Sequence, residues 1–408
     1  METLFRGRVI DLRVEGDFLR VIVMVGARPR EFVMHGSVCR VGDIVSFGVN
    51  GEVMKNVVVH GGAIGEWDAS GDPMRWRALG SSGRSRMEML FARAEILRAV
   101  REYFYREGFL ELQAPLLIRR TCPDAFLDSF AVGEEFLTTS TEYQIKRMWT
   151  GGFDRVYSLT QNFRNEPADA THNPEFTMLE WGRTFVDLDV IERDVERFVG
   201  MAFAAVSGED ETSVVVNGYT VRVIGAPWRR MSLREALREF AEVEVDAEFS
   251  FVSLQTGVRM AGISVPAAIF EDQSLLVTFL IDYIQPKLGT VVPVFVRDWP
   301  SFQTSSAAVV EGVAVTSRCE LFIGGIEIAN GFPAMRDYRA QIAGFEAQNE
   351  RRRREGKVEI AVDERYLEAL RLGLPSAAGM ALGFDRLCMV LLGARHIREV
   401  MGFAWDER

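Results

Sequence analysis

A handful of side chains in this sequence have the types and spacing needed to hold a nucleotide and a metal ion. The stretch TQNFRNEPADATHNPEFTMLEWGRTF, residues 160–185, carries Arg164, Glu166, His172 and Phe176 around a polar turn. Arg164 and Glu166 are two residues apart, so on a strand they share one face. His172 and Phe176 lie across the turn. A guanidinium can clamp a phosphate through two parallel hydrogen bonds. An aromatic ring can stack on a base, and a carboxylate can accept from an exocyclic amine. The segment GFDR adds Arg386 at a helix start, and ELFIGGIE sets Glu320 and Glu327 at the two ends of a strand and turn. Paired carboxylates supply the hard oxygen ligands that suit Mg²⁺. One residue does not fit a simple strand: Gly182, directly after Glu180 and Trp181.

These residues need a scaffold, and the sequence suggests one. RVYSLTQNFRN and EFTMLEWGRTF read as two strands flanking the polar turn, a hairpin. TEYQIKRMWTGG reads as a helix ending at its glycines, and MEMLFARAEILRAVREYFYREG as a helix stopped at Gly108. FLELQAPLLI reads as a strand interrupted by Pro115, which belongs at an edge, a bulge or an interface. A strand pair is expected around Asn217-Gly218, and a helix from Ser232. SRCELFIGGIEIANGF forms another strand–turn–strand. The segment from Met335 to Gly356 forms a long polar helix whose basic run is a solvated face. GMALGFDRLCMVLLG is a glycine-rich strand leading into a buried helix.

Ahead of these lies a different pattern. RGRVIDLRV, FLRVIVMV, REFVM, DIVSFGVNGEV and VVVHGG are short, rich in β-branched and aromatic residues, and broken by Gly, Asp and Asn. They predict a small barrel over residues 1–66, of OB type, or alternatively an SH3-like barrel or a dimerisation module. Residues 67–86 look like a linker, and residues 87–408 form the larger domain.

The chain has 408 residues, net charge −11, 48% hydrophobic and 26% charged residues. That is an ordinary globular balance, and it argues against nucleic-acid binding driven by bulk charge. Cys39, Cys122, Cys319 and Cys388 form no CxxC pair, and the histidines are scattered. A zinc site or disulfide framework is not expected. No apolar run reaches the length of a membrane span, no signal peptide is evident, and a cytoplasmic location is expected.

Taken together, FRNE…HNPEFTMLEW resembles motif 2 of class II aminoacyl-tRNA synthetases. GMALGFDRLCMVLLG resembles motif 3, and GFLELQAPLL motif 1, with Pro115 at the usual dimer-interface proline. ELFIGGIEIANGF narrows the resemblance to the lysyl branch of the subclass that also holds the aspartyl and asparaginyl enzymes; the same core occurs in the enzyme that lysylates elongation factor P. The resemblance covers roughly residues 88–408. It implies an α+β fold, a mostly antiparallel sheet flanked by helices, and a homodimer. It implies ATP and Mg²⁺ as cofactors and an aminoacyl-adenylate as product. Arg164 would hold the α-phosphate and the amino-acid carboxylate, and Glu166 the adenine amine. Phe176 and Arg386 would sandwich the ring, with His172 and Asn173 near the ATP. Glu320 and Glu327 would bind magnesium. Glu142 and Glu180 would hold the substrate amine, and Asn330 and Phe332 would line the amino acid.

Some side-chain-reading positions depart from the lysyl pattern. A tyrosine is expected where Gly182 stands, and the glutamate that takes the substrate ε-ammonium is replaced by Ala334. Ala381 is usually glycine in lysyl-tRNA synthetases and alanine in the elongation-factor enzyme. A buried ammonium without a carboxylate is costly, so lysine is expected to be a poor substrate in a roomier pocket, unless Asp124 or Asp337 replaces the lost acid. The barrel is also shorter than the family's anticodon-binding domain, which the elongation-factor enzyme lacks. Its Phe18 or Phe32 either stacks an RNA base or belongs to the barrel core. Three functions remain open: a synthetase acting on tRNA, a paralogue that transfers the activated amino acid to a protein or small-molecule acceptor, and a non-enzymatic amino-acid or ATP sensor or RNA-binding paralogue.

Overall fold

A computed structural model describes residues 4–25, 28–36, 39–61, 76, 79–303, 307 and 315–407. The chain divides into two compact units, Met1–Ala78 and Leu79–Arg408.

The first unit holds β1 (Leu4–Glu15), β2 (Phe18–Val25), β3 (Arg28–Met34), β4 (Ile44–Asn50) and β5 (Val53–Gly61). They close into a barrel in the order β1-β2-β3-β5-β4. Because β5 enters between β3 and β4, the barrel is not a simple meander, and the order suits the OB-type closure. The strands alternate, so Val9, Val21, Val23, Val45 and Phe47 fill the interior. Gly7 lies where β1 and β2 approach closely, because a Cβ there would overlap the Met24 carbonyl. Phe32 belongs to this core: it is buried, with its ring centroid 4.9 Å from that of Phe47. Phe18 is half-buried and edge-on to His35.

Most of the expected linker, residues 67–75 and 77–78, lies outside the described residues. Its last part belongs to the second unit, where Ser85 caps α1 (Arg86–Arg106) in a reciprocal capping box with Glu88. The single interrupted strand expected at FLELQAPLLI is two strands in two sheets. β6 (Leu110–Glu111) joins the edge of the main sheet, whereas β7 (Leu117–Ile118) pairs with β9 (Glu135–Leu137), itself beside β8 (Ala131–Val132). Pro115 lies in the break between them; a residue without an N–H suits the point where the chain leaves one sheet for another.

α2 (Glu142–Thr150) follows, then the hairpin of β10 (Arg155–Phe163) and β11 (Glu175–Thr184), and α3 (Leu188–Ala204). β10 ends at Phe163. Arg164 and Glu166 are therefore in the connection beyond the strand, not on its face, a correction to the i, i+2 expectation. β12 (Ser213–Val216) and β13 (Tyr219–Arg222) turn at Asn217-Gly218, both with positive φ, as that dipeptide favours. β14 (Arg229–Ser232), α4 (Leu233–Ala241), α5 (Phe251–Met260), α6 (Ala267–Phe270) and α7 (Gln273–Ile284) lead to β15 (Val294–Pro300). β16 (Val315–Ile323) and β17 (Ile326–Pro333) form the second hairpin. α8 (Tyr338–Arg354), α9 (Glu364–Gly373), β18 (Ala377–Gly383) and α10 (Phe384–Leu392) close the fold.

The main sheet has eight strands in the order β14-β15-β16-β17-β18-β11-β10-β6. Its pairings are antiparallel except for β14 with β15 and β10 with β6. One face carries a large apolar core that includes Phe104, Trp181, Phe198 and Leu387. The basic run of α8 is only partly a solvated face. Arg352 is 5% exposed and donates to the carbonyls of Asp124, Leu127 and Val358 and to Asp128. It fastens α8 to the 124–128 loop.

Candidate active site

Strand alternation and register build the site. Side chains on successive residues of a strand point to opposite faces. The pairing sets Ser158 of β10, Glu180 of β11, Ala381 of β18, Asn330 of β17 and Glu320 of β16 in one row across the sheet. Two residues along, a second row on the same face holds Val156, Gly182, Gly379 and Phe332. Between the rows Tyr157, Trp181 and Met380 belong to the core of the other face. The residues singled out from the sequence on four separate strands are thus neighbours on one surface.

Two adjoining cavities lie over that surface. The first, about 220 Å³, is lined by Arg164, Glu166, His172, Asn173, Phe176, Glu327 and Arg386 among others. The second, about 430 Å³, is lined by Glu142, Glu180, Phe332 and Ala334, with Lys146, Trp149 and Arg318. Arg164, Glu327, Asn330 and Ala381 border both.

In the first cavity the Arg164 guanidinium lies over the Phe176 ring, 5.1 Å from its centroid. Its Nε is buried and has no protein acceptor. Arg386 is held on three sides: Nε donates to the Thr171 carbonyl, Nη1 to the Glu327 carbonyl, and Nη2 lies 2.6 Å from His172 Nε2. His172 Nδ1 faces Asp169 at 2.9 Å. A proton on Nδ1 satisfies Asp169 and leaves Nε2 free to accept from Arg386. His172 therefore positions Arg386. Asn173 lines the cavity, but its amide is committed to backbone: Oδ1 accepts from Trp405 N–H, and Nδ2 donates to the Glu175 carbonyl.

Glu320 is buried beside Arg318, with which it forms an ion pair. Burial, with help from Glu327, pushes its carboxyl up to about 8 against the pull of Arg318. Glu327 is more open, 3.7 Å from Arg386 Nη1. No cluster of three or more acidic, histidine or cysteine ligands occurs among the described residues. The donor set nevertheless fits Mg²⁺, which commonly takes one or two carboxylates and completes its shell with water and substrate phosphate. A carboxyl whose ionisation is opposed by burial is also one whose charged form a divalent cation would stabilise.

In the second cavity, Glu180 accepts from Ser140 Oγ at 2.5 Å and from both the backbone N–H and the hydroxyl of Thr141. Burial still raises its carboxyl above the usual range. Glu142 pairs with Lys146 Nζ at 2.5 Å, one helical turn on. Burial opposes the ammonium's charge, but Glu142 more than offsets this and raises its pKa. Asn330 Oδ1 accepts from Arg318 Nε. Ala334 is buried among Tyr143, Ile145, Trp149 and Tyr366.

The structure corrects the idea that Gly182 leaves an empty pocket end. A Cβ at Gly182 would collide with Trp149 Cζ2 and stand 2.7 Å from its Cη2 and 2.8 Å from the Ala378 carbonyl. A Cβ at Gly379, its cross-strand neighbour, would lie 3.3 Å from the same ring. Two paired glycines make the bed on which the indole lies. A tyrosine at position 182 would need the space Trp149 occupies. Of the suggested substitute acids, Asp337 caps α8 through Ala340 N–H. Asp124 does line the second cavity, and its Oδ1 accepts from the amides of Phe126 and Leu127.

Lys146, Trp149 and Arg318 were not anticipated. For the first two a signal existed: Glu142, Lys146 and Trp149 stand at i, i+4 and i+7 on α2, one face of a helix. Arg318 carried none, because a lone arginine two residues before a glutamate is common on any strand.

Residues 73–407 match the family model described as tRNA synthetases class II (D, K and N). Two similar proteins are each named elongation factor P–(R)-β-lysine ligase. That of Actinobacillus succinogenes is 33% identical over 332 residues, 78% of this chain and 95% of the relative. That of Vibrio cholerae serotype O1 is 33% identical over 333 residues, 79% of this chain and 96% of the relative.

Proposed function

The chain belongs to the D, K and N group of class II tRNA synthetases, and from that premise we propose that this ligase activates an amino acid with ATP and passes it to an acceptor amine on a protein. The observation that carries activation is the shared wall of the two cavities. Arg164 borders both, so one guanidinium can touch an α-phosphate in the first and a carboxylate in the second. Adenine would stack on Phe176 once Arg164 swings from that ring to the phosphates, with Arg386 on the opposite side. Glu166, whose carboxylate has no protein partner among the described residues, would accept from the adenine amine.

In the reaction a carboxylate oxygen attacks the α-phosphorus, the bond to the β-phosphate oxygen breaks, and pyrophosphate leaves. The mixed anhydride with AMP remains. No side chain has to form a covalent bond. Arg164 and Arg386 neutralise charge that grows on the phosphates, and the rigid sheet holds the reacting oxygen in line. Mg²⁺ held by Glu320 and Glu327 would supply further charge neutralisation. The second oxygen of Glu142 and the row position of Glu180 would receive the substrate amine.

The protein acceptor is favoured by the names of the two relatives, and by the barrel, where Phe32 is spent in the core. A tRNA acceptor is the second reading, and the OB-type strand order favours it. The deciding experiment has two stages. Amino-acid-dependent pyrophosphate exchange tests activation, and its failure across a broad amino-acid screen while ATP still binds would leave a sensor. Transfer of labelled amino acid to elongation factor P or to bulk tRNA then separates the two acceptors.

A further inference from the structure

The second cavity's polarity can be read atom by atom, and it runs opposite to that of a site for a cationic side chain. Each carboxylate on its wall already has a protein partner, and only the second oxygen of Glu142 is left, for the substrate's α-amine. Glu180 accepts from the donors of Ser140 and Thr141, Glu142 pairs with Lys146, Glu327 faces Arg386, and Asp124 caps two backbone amides. Where an acid would be needed, Ala334 stands in an apolar cluster. Two donors on the same wall are less fully met. Trp149 is 4% exposed, and its Nε1 is buried with no acceptor. Lys146 is 2% exposed, and its ammonium has one carboxylate for three N–H bonds, besides the faces of Phe332 and Tyr366 at 5.6 and 5.8 Å. Both side chains line the cavity.

A buried N–H without an acceptor costs free energy, so a cavity wall that keeps two under-used donors favours a ligand that brings the acceptor. Glu142 already balances the Lys146 charge, so a ligand carboxylate would arrive as an uncompensated buried charge. We propose that the amino acid activated here carries a side chain ending in a neutral hydrogen-bond acceptor, such as an amide or hydroxyl, received by Trp149 Nε1 and the Lys146 ammonium. Gly182 and Gly379 set this specificity indirectly, because only their missing side chains let the indole lie there. The inference rests on the amino-acid-activation reading and names the substrate class of the same site.

Calorimetric titration of the full chain with Mg²⁺ and a non-hydrolysable ATP analogue tests it without requiring turnover. Glutamine is expected to bind about tenfold more tightly than leucine, lysine, (R)-β-lysine or glutamate, the scale of one buried hydrogen bond. Trp149→Phe keeps a ring but removes the donor; it should erase most of the glutamine-over-leucine preference and leave the affinity for the ATP analogue unchanged. Tightest binding by either lysine isomer, by glutamate or by leucine overturns the proposal, as does binding of none of the five. The wild-type panel decides the matter even if Trp149→Phe does not fold. Absence of pyrophosphate exchange with glutamine still bound would instead sink the activation reading and leave the pocket assignment standing.

Discussion

On the proposed mechanism Arg164 is the residue on which activation would depend most directly, since it alone of the proposed phosphate-binding residues pairs a buried Nε lacking a protein acceptor with a place on both cavities. Arg164→Ala should lower amino-acid-dependent pyrophosphate exchange by at least about a hundredfold, the scale of removing one transition-state charge stabiliser. An unchanged rate would remove it from the mechanism. Glu320 leads to a pH prediction. Burial pushes its carboxyl up to about 8 from an ordinary 4.5, so between those values the folded state should hold a proton that the unfolded state has lost. This contribution to stability is full below the unfolded pKa and is lost as pH rises through 8. The metal-free protein should therefore lose stability from pH 5 to 8 in urea melts, and Glu320→Gln should flatten that decline. Glu180, also raised by burial, acts with the same sign, so the slope should shrink rather than vanish. A Glu320→Gln decline as steep as the wild type would show that the carboxyl ionises normally.

At the scale of elements, α2 and the β11–β18 pair are fitted to each other through one large and two absent side chains. Gly182→Ala places a methyl against the indole and against a backbone carbonyl that cannot move away. Overpacking of this kind costs about 1–3 kcal/mol. Trp149→Leu should relieve part of it. A double-mutant cycle of the two, read by urea denaturation, should show a coupling of about 0.5–3 kcal/mol; strict additivity would mean the indole does not rest on Gly182. The loops around the pocket are held by the same logic. Arg352 satisfies three carbonyls and a carboxylate between α8 and the 124–128 loop, which is why one arginine of an apparently solvated run is buried.

For the whole molecule, the second unit leaves Tyr105, Leu110, Leu116 and Leu117 exposed around α1 and the break at Pro115. Exposed apolar side chains suit an interface, and the motif 1 resemblance of this segment supports a homodimer. Sedimentation at micromolar concentration should show twice the 45.9 kDa mass of the chain, and Leu110→Lys with Leu117→Lys should shift it toward monomer. A wild-type protein sedimenting as a monomer would refute the dimer. Among the described residues no helix is long and apolar enough to cross a membrane. By itself the sequence determined much of this protein. Strand alternation, helix spacing and caps are local, so the hairpins at Asn217-Gly218 and Gly324-Gly325, the helix after Ser85 and the barrel strands were legible, and Arg164, Glu166, His172, Phe176 and Arg386, singled out by their order along the chain, line one cavity. Where the segments differ from expectation, the cause is long-range. The end of β10 at Phe163 depends on where its partner β11 begins, and the splitting of the Pro115 segment depends on which sheet accepts each half. Only the tertiary structure decided what Gly182 is for. Its neighbour in space, Trp149, lies on another element, and a gap in one strand is read as room or as a bed only when the side chain that fills it is in view.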